Sequence, residues 1–171
     1  MLARNYFEMF GLPPRFSIDL GGLEQLFHRL QAELHPDRHA GGTETERRMA
    51  LQHSTMLNDG YRTLRHPASR AQCLLILAGR DETQSQVSSS FLTAQMEWRE
   101  AIAEARVASD VTALEALARR LRHKLAVQEK DLADALDSRG DFEAAGQRIN
   151  EFRFYEKLRA EIDDALDQLE V

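Results

Sequence analysis

The sequence predicts an all-α protein with two parts, a small N-terminal helical domain and a C-terminal antiparallel three-helix bundle. Apolar residues recur at helical spacing through most of the 171 residues, as in helices that bury one face. No stretch alternates apolar and polar residues as a half-buried strand does, and no Asn-Gly hairpin signal occurs. A polar segment separates the two groups of helices, so we predict a domain over residues 1–78, a loop over 79–90 and the bundle over 91–171.

The N-terminal domain is predicted to contain a short helix from Asn5 to Phe10, followed by two long helices. Asp19 is the expected N-cap of the second helix, and Thr43 with Glu46 forms a capping-box pattern at the start of the third. The predicted core positions of the two long helices are Leu23, Leu26, Phe27, Leu30, Leu34, Met49, Met56, Leu57, Tyr61 and Leu64. Gly60 is unfavourable inside the third helix by about 1 kcal/mol relative to alanine.

The tripeptide His35-Pro36-Asp37 lies between the second and third helices. Proline lacks a backbone N–H and disfavours the helical conformation of the preceding residue, so the second helix is expected to end near the tripeptide. A helix, a loop carrying His-Pro-Asp and another helix near the N-terminus resemble a J-domain. The resemblance implies that His35, Pro36 and Asp37 dock on the ATPase of a DnaK-class chaperone, with Arg29 and Arg38 supplying positive charge. Glu33 and Gln31 stand where J-domains often carry lysine or arginine, which indicates a specialised ATPase partner.

The segment from Arg70 to Gly79 reads Arg-Ala-Gln-Cys-Leu-Leu-Ile-Leu-Ala-Gly. It resembles the Arg-Ala-x-x-Leu-Leu-x-Leu-x-Gly segment of HscB, a co-chaperone family of bacterial iron–sulfur cluster assembly, where it packs the J-domain against a second domain. The resemblance extends from Tyr6 to Leu169. Its most specific C-terminal parts are Phe-Leu-x-x-Gln-Met-Glu-x-Arg-Glu at 91–100 and Arg-Phe-x-x-Lys-Leu at 153–158.

Three helices are predicted after the loop. The first runs from Phe91 to about Val107, Ser109 or Asp110 caps the second, and Asp141 caps the third. The predicted core positions are Phe91, Gln95, Trp98, Ile102 and Ala105 in the first, Leu114, Leu117, Leu121, Leu125, Leu132 and Leu136 in the second, and Ala145, Ile149, Phe152, Tyr155, Ile162, Leu166 and Leu169 in the third. Short connections between such stripes are typical of an antiparallel bundle.

Leu92 and Met96 form a candidate binding patch on the first bundle helix. At about 100° per residue they lie outside its core stripe. Three acidic residues lie further round the same helix: Glu97, Glu100 and Glu104. Phe154 also lies off the predicted stripe of its own helix. The alternative interpretation is that these apolar residues belong to a wide core stripe or are scattered over the surface. The resemblance to HscB implies instead that all of these positions contact the cluster scaffold IscU.

Charge and cysteine content limit the possible partners and surroundings. The net charge of −6 argues against nucleic acid as the main partner. Residues 1–75 hold 9 Lys and Arg against 8 Asp and Glu, and residues 76–171 hold 13 against 20, so the two halves are expected to contact different partners. No stretch approaches the roughly 18 apolar residues of a membrane span, and no secretory signal is expected. The single cysteine, Cys73, cannot form an internal disulfide and fits a reducing cytoplasm.

We therefore expect a bacterial cytoplasmic co-chaperone that is not an enzyme and holds no cofactor or metal. The resemblance implies that its J-domain stimulates the ATPase of an HscA-type chaperone and that its bundle delivers IscU, assisting the maturation of iron–sulfur proteins. One alternative is a J-domain protein with another client. The other is a metal-dependent hydrolase that uses His35, Asp37 and His39. Pro36 disfavours the second, because one helical face cannot present both histidines and no His-Glu-x-x-His pattern occurs.

Overall fold

The computed structural model describes residues 5–33, 43–80 and 88–169. Within these ranges every regular element is helical, so the predicted all-α class is confirmed. The chain divides into two compact units, Met1–Arg80 and Asp81–Val171.

The N-terminal unit is built around one long helix, α3. Its helices are α1 (Tyr6–Met9), α2 (Leu20–Glu33), α3 (Glu44–Arg65) and α4 (Pro67–Leu77). Each of the other three contacts α3, and the Phe27 ring of α2 stacks on the Tyr61 ring of α3 with centroids 4.0 Å apart. The described helices of this unit therefore share one core that α3 organises.

Local capping explains where α2 and α3 begin, as the sequence predicted. The Gly22 N–H donates to Asp19 Oδ1 at 3.0 Å. The Glu46 N–H donates to Thr43 Oγ1 at 3.3 Å, and the Thr43 N–H donates to Glu46 Oε2 at 2.7 Å. Both orphan N–H groups of the capping box thus have partners.

The predicted core of this unit is mostly correct but wrong at Met49. Leu23, Phe27, Leu57 and Leu64 are buried, and the other predicted positions in the described ranges are half-buried apart from Met49, which is 51% exposed. The buried row of α3 is Ala50, Leu57 and Leu64 at seven-residue intervals. Met49 lies about 100° away from that row, and its side chain reaches solvent. Leu34 lies outside the described residues.

Gly60 allows α1 to approach α3 closely. A Cβ atom at this position would lie 2.9 Å from Tyr6 Cδ1 and 3.1 Å from Phe10 Cε2, which is too close for undisturbed packing. The glycine that lowers the helix propensity of α3 is therefore the residue that makes room for the aromatic side chains of α1.

Helix α4 is tied to the rest of its unit through a buried arginine. His66 is extended and Pro67 occupies the first turn of α4, which is where proline is tolerated in a helix. Arg70 is 3% exposed, its Nη1 donates to the Leu64 carbonyl at 2.8 Å, and its guanidinium lies 4.6 Å from the Phe16 ring centroid. Arg70 thus joins the end of α3, the segment before α2 and α4.

The C-terminal unit is a three-helix bundle of α5 (Ser89–Val107), α6 (Val111–Ala133) and α7 (Phe142–Leu169). A π-helical segment, Asp134–Arg139, extends α6, and Gly140 ends it with a φ of 63°. Asp110 caps α6 and Asp141 caps α7 through hydrogen bonds of 2.9 and 3.0 Å. The α5 helix begins two residues before its predicted start because the Ser88 hydroxyl accepts from the Phe91 N–H.

Contacts between the helices show that the bundle is antiparallel, as predicted. Gln128 Nε2 of α6 donates to Glu151 Oε2 of α7 at 2.8 Å, and Asp131 of α6 pairs with Arg148 of α7 at 4.0 Å, so these two helices run in opposite directions. Three residues connect α5 to α6, and the Arg120 guanidinium of α6 lies 4.7 Å from the Trp98 ring centroid of α5. Because α6 runs opposite to both neighbours, α5 and α7 run parallel to each other.

The buried face of α7 turns along the helix, and the predicted stripe is correct at Tyr155 and Ile162 but does not include Phe154, Leu158 and Ala165. Its first half buries Ala145, Ile149 and Phe152, and its second half buries Phe154, Tyr155, Leu158, Ile162 and Ala165. The change coincides with the start of α5, whose Phe91 ring meets both Phe154 and Tyr155. The prediction that Phe154 lies outside the core is therefore wrong. Leu169, predicted as core, is 37% exposed near the end of α7.

Candidate functional site

Leu92 and Met96 form an exposed apolar pair on α5, here called the α5 patch. Leu92 is 51% exposed and Met96 is 73% exposed. The same helix buries Phe91, Trp98, Ile102 and Ala105, so the pair lies outside the core stripe, as the sequence predicted. An exposed methionine beside a leucine is the kind of adaptable apolar surface that proteins use for binding.

Phe154 lies beneath this region rather than on it. It is 9% exposed, and its ring makes edge-to-face contacts with Phe91 at 5.4 Å and Tyr155 at 5.5 Å. The Arg99 guanidinium lies 5.9 Å from its centroid. The structure therefore joins Phe154 to the aromatic core, and of the three apolar residues that the resemblance assigns to scaffold binding, Leu92 and Met96 are exposed.

Arg99 borders the α5 patch and was not a predicted site residue. At about 100° per residue it lies roughly 20° from Leu92 around the helix axis. Its exposed side chain reaches the Phe154 ring on α7, which places Leu92 on the α7 side of α5. No sequence pattern marks a cation over an aromatic ring of another helix, so this contact needed the structure.

The three glutamates of α5 form an exposed strip next to Met96. Glu97, Glu100 and Glu104 are all exposed, and by helical spacing they continue round the helix from Met96, outside the core stripe and on the side of Met96 away from Leu92 and Arg99. Among the residues that the structure describes, none of the three forms an ion pair with a lysine or arginine. They can therefore steer a cationic partner toward the patch.

Most of the predicted chaperone-binding residues lie outside the described residues. His35, Pro36, Asp37 and Arg38 all fall between residues 33 and 43, and so does His39 of the hydrolase alternative. Arg29 is exposed on α2. In the described ranges, no three His, Cys, Asp or Glu side chains are grouped closely enough to hold a metal ion.

Comparisons with known proteins cover the whole chain. A family model described as the HSCB C-terminal oligomerisation domain matches residues 87–163. The co-chaperone protein HscB homologue of Azoarcus sp. (strain BH72) is 49% identical over an alignment 172 residues long that covers 99% of this chain and 97% of the relative. The chain belongs to the HscB family of co-chaperones. Solved HscB structures agree in fold. The chaperone HscB from Vibrio cholerae matches with a TM-score of 0.88 and 35% sequence identity, covering 97% of this chain and 99% of its own. The human co-chaperone protein HscB matches with a TM-score of 0.88 and 27% sequence identity, covering 100% of this chain and 85% of its own.

The matched family model covers most of the C-terminal unit. The matched family model begins just before α5 and extends to residue 163 in α7, so it includes the α5 patch and its acidic strip. Membership in this co-chaperone family implies that an Hsp70-type chaperone is a partner of the protein. The helices that the structure describes include none that is long and apolar enough to cross a membrane.

Proposed function

We propose that this HscB-family protein stimulates the ATPase of an HscA-type chaperone through its N-terminal domain and delivers the iron–sulfur scaffold IscU through its bundle. The observation that carries the scaffold half is the exposure of Leu92 and Met96 on a helix whose other large apolar side chains are mostly buried. The chaperone half depends on His35-Pro36-Asp37 and on its resemblance to the J-domain tripeptide.

The chaperone-binding step requires a carboxylate and nearby cations. Asp37 supplies the carboxylate, which pairs with an arginine of the chaperone in a charge-assisted hydrogen bond. Arg29 and Arg38 add positive charge that speeds association. Such a surface accelerates hydrolysis by the partner, and this chain catalyses no reaction and needs no cofactor.

The scaffold-binding step places an apolar anchor inside a charged rim. Leu92 and Met96 are the anchors, Arg99 lies beside them, and Glu97, Glu100 and Glu104 form the acidic rim. Buried apolar anchors provide most of the affinity of an interface, whereas rim charges mainly change the association rate. Phe154 contributes by supporting Arg99 and the start of α5, since its own ring is buried.

Binding both partners at once gives the protein its effect. A tether that holds chaperone and scaffold together raises the effective concentration of one around the other. Hydrolysis then locks the chaperone onto the scaffold and promotes cluster transfer. We propose that this takes place in the bacterial cytoplasm, where a reduced thiol such as Cys73 is the ordinary state.

The chaperone half is tested by single-turnover ATP hydrolysis with the cognate HscA-type chaperone. Asp37→Asn and His35→Gln should abolish stimulation while circular dichroism and scaffold binding remain those of wild type. Glu24→Gln, which removes an exposed charge from α2, is the matched control and should keep full stimulation. A folded Asp37→Asn variant that stimulates fully would refute this role.

The scaffold half is tested by calorimetric binding of purified scaffold. Leu92→Ala and Met96→Ala should each weaken binding by about 1–2 kcal/mol, or roughly 5- to 30-fold. Met49→Ala and Val107→Ala remove apolar side chains outside the patch that are 51% and 90% exposed, and they should leave the affinity unchanged. If wild type does not bind the scaffold, the client is a different protein. If the α5 variants bind as wild type does, the patch is not the interface.

A further inference from the structure

A cationic face on α6 stands out in an acidic unit. Residues 81–171 hold 12 Lys and Arg against 20 Asp and Glu. Yet the 13 residues from Ala116 to Gln128 contain four Lys and Arg and no acidic residue. This stretch of α6 is therefore locally cationic, and three of its four Lys and Arg side chains are exposed.

Aromatic rings hold two of these cations in place. The Arg120 guanidinium lies 4.7 Å from the Trp98 centroid, and Lys124 Nζ lies 5.5 Å from the Tyr155 centroid. In the described part of the chain neither side chain forms a salt bridge. A long cationic side chain that is already ordered on a ring loses less conformational entropy when it binds an anion.

The remaining residues of this face fit a peptide better than a phosphate polymer. His123 is exposed, and Val127, one turn beyond Lys124, is 40% exposed. Arg119 is bridged to Glu115 at 3.7 Å, so it contributes less free charge. An apolar contact next to two oriented cations matches an amphipathic segment that carries both kinds of side chain.

We propose that the cationic face of α6, defined as Arg120, His123, Lys124 and Val127, binds an acidic amphipathic peptide segment of a partner protein. Arg120 and Lys124 are one turn apart, about 6 Å between Cβ atoms, which matches two carboxylates one turn apart on a helix. Val127 takes an apolar side chain from the next turn of that segment. The interaction requires neither the scaffold nor the ATPase.

Charge around the face favours a short acidic peptide over nucleic acid or a membrane. The exposed strip of Glu97, Glu100 and Glu104 lies on the neighbouring helix of the same bundle and repels extended anionic surfaces. A nucleic acid or a lipid bilayer covers a wide area and would meet those carboxylates. A single peptide segment can contact α6 alone.

The test measures the fluorescence anisotropy of a labelled helical peptide that carries glutamates one turn apart and a leucine on the next turn. The peptide is titrated with the full chain. The double variant Arg120→Gln with Lys124→Gln should weaken binding at least about 10-fold, the sum expected for two oriented charge-assisted contacts. The matched control, Lys157→Gln with Arg159→Gln, removes the same charge from exposed positions of α7 and should change the affinity less than about 2-fold. Raising the ionic strength from about 0.01 to about 0.15 M should weaken wild-type binding.

A second variant guards against misfolding, because Arg120 packs on Trp98. His123 lies on the same face and makes no ring contact with any described residue, so His123→Glu adds an acidic side chain there without disturbing Trp98, and it should also weaken peptide binding several-fold. If circular dichroism shows that the double variant is unfolded, the affinity of His123→Glu tests the proposal instead. The proposal is overturned if the peptide does not bind wild type, if the α6 variants bind normally, or if the control loses as much. Tighter binding of oligothymidylate, or of vesicles of phosphatidylcholine and phosphatidylserine, would also overturn it.

Discussion

Replacing Phe154 with alanine should destabilise the bundle by about 3–5 kcal/mol, whereas replacing Leu92 or Met96 should change its stability by less than about 0.5 kcal/mol. The ring is almost fully buried. Truncation removes on the order of 130 Å² of buried apolar surface, or about 3 kcal/mol at 25 cal/mol per Å². The edge-to-face contacts with Phe91 and Tyr155 contribute about 0.5–1.5 kcal/mol each, so the loss should lie at the upper end of this range.

The single tryptophan provides a specific probe of this unit. Trp98 is the only tryptophan in the chain, and its ring centroid lies 6.3 Å from that of Tyr155, which contacts Phe154. Urea unfolding followed by Trp98 fluorescence therefore reports the bundle and not the N-terminal unit. With a typical m-value of 1–3 kcal/mol per M, a loss of this size should lower the urea midpoint by about 1 M or more.

Three variants serve as controls for Phe154→Ala. Phe154→Leu keeps most of the apolar volume and should lose much less than Phe154→Ala. Leu92→Ala and Met96→Ala should unfold together with wild type. If Phe154→Ala has the wild-type midpoint while Leu92→Ala or Met96→Ala lowers it, the burial of these residues described above is wrong.

Two further predictions concern the N-terminal unit. Gly60→Ala should lower the thermal midpoint, because the new methyl group would meet Tyr6 and Phe10, and overpacking costs about 1–3 kcal/mol against a helix-propensity gain of about 1 kcal/mol. The control Gly21→Ala, whose Cβ would meet only Asp19 at 3.5 Å, should not lower it. Equal thermal midpoints for the two variants would contradict this packing. Burial is the largest cause that raises the pKa of the Cys73 thiol above its ordinary value of 9.0. Because the thiol of the unfolded chain ionises at lower pH than the buried thiol, the stability that the neutral thiol contributes is fully present below pH 9.0 and is lost as pH rises through the folded pKa. Urea midpoints measured from neutral pH upward should fall less steeply for Cys73→Ala, and identical slopes would count against the buried thiol.

The sequence predicted the features that depend on neighbouring residues along the chain. Asp19, Thr43 with Glu46, Asp110 and Asp141 cap helices through bonds within three residues, and such patterns can be recognised without tertiary structure. The core stripes of α2 and α6 are also largely correct, because the buried residues of each helix keep a regular helical spacing along its length.

The errors arise where a helix changes its neighbours or meets a distant residue. Phe154 is buried because α5 begins beside it, and a fixed stripe along α7 cannot include that change. Gly60 is explained by Tyr6, which is more than fifty residues earlier. The cations over Phe154 and Trp98 come from other helices. The binding role of His35-Pro36-Asp37 and of the α5 patch stays a prediction, because partner contacts cannot be deduced from one chain.

The parallel course of α5 and α7 has a practical consequence for attaching labels. Leu92 lies within one turn of the start of α5, beside the middle of α7. Leu169 is 15 residues beyond Phe154, which corresponds to about 22 Å along the helix axis. A fluorophore or fusion partner attached beyond Leu169 would therefore leave the α5 patch uncovered. Excising the bundle at Ser88 would instead place a new charged amino terminus about one turn from Leu92.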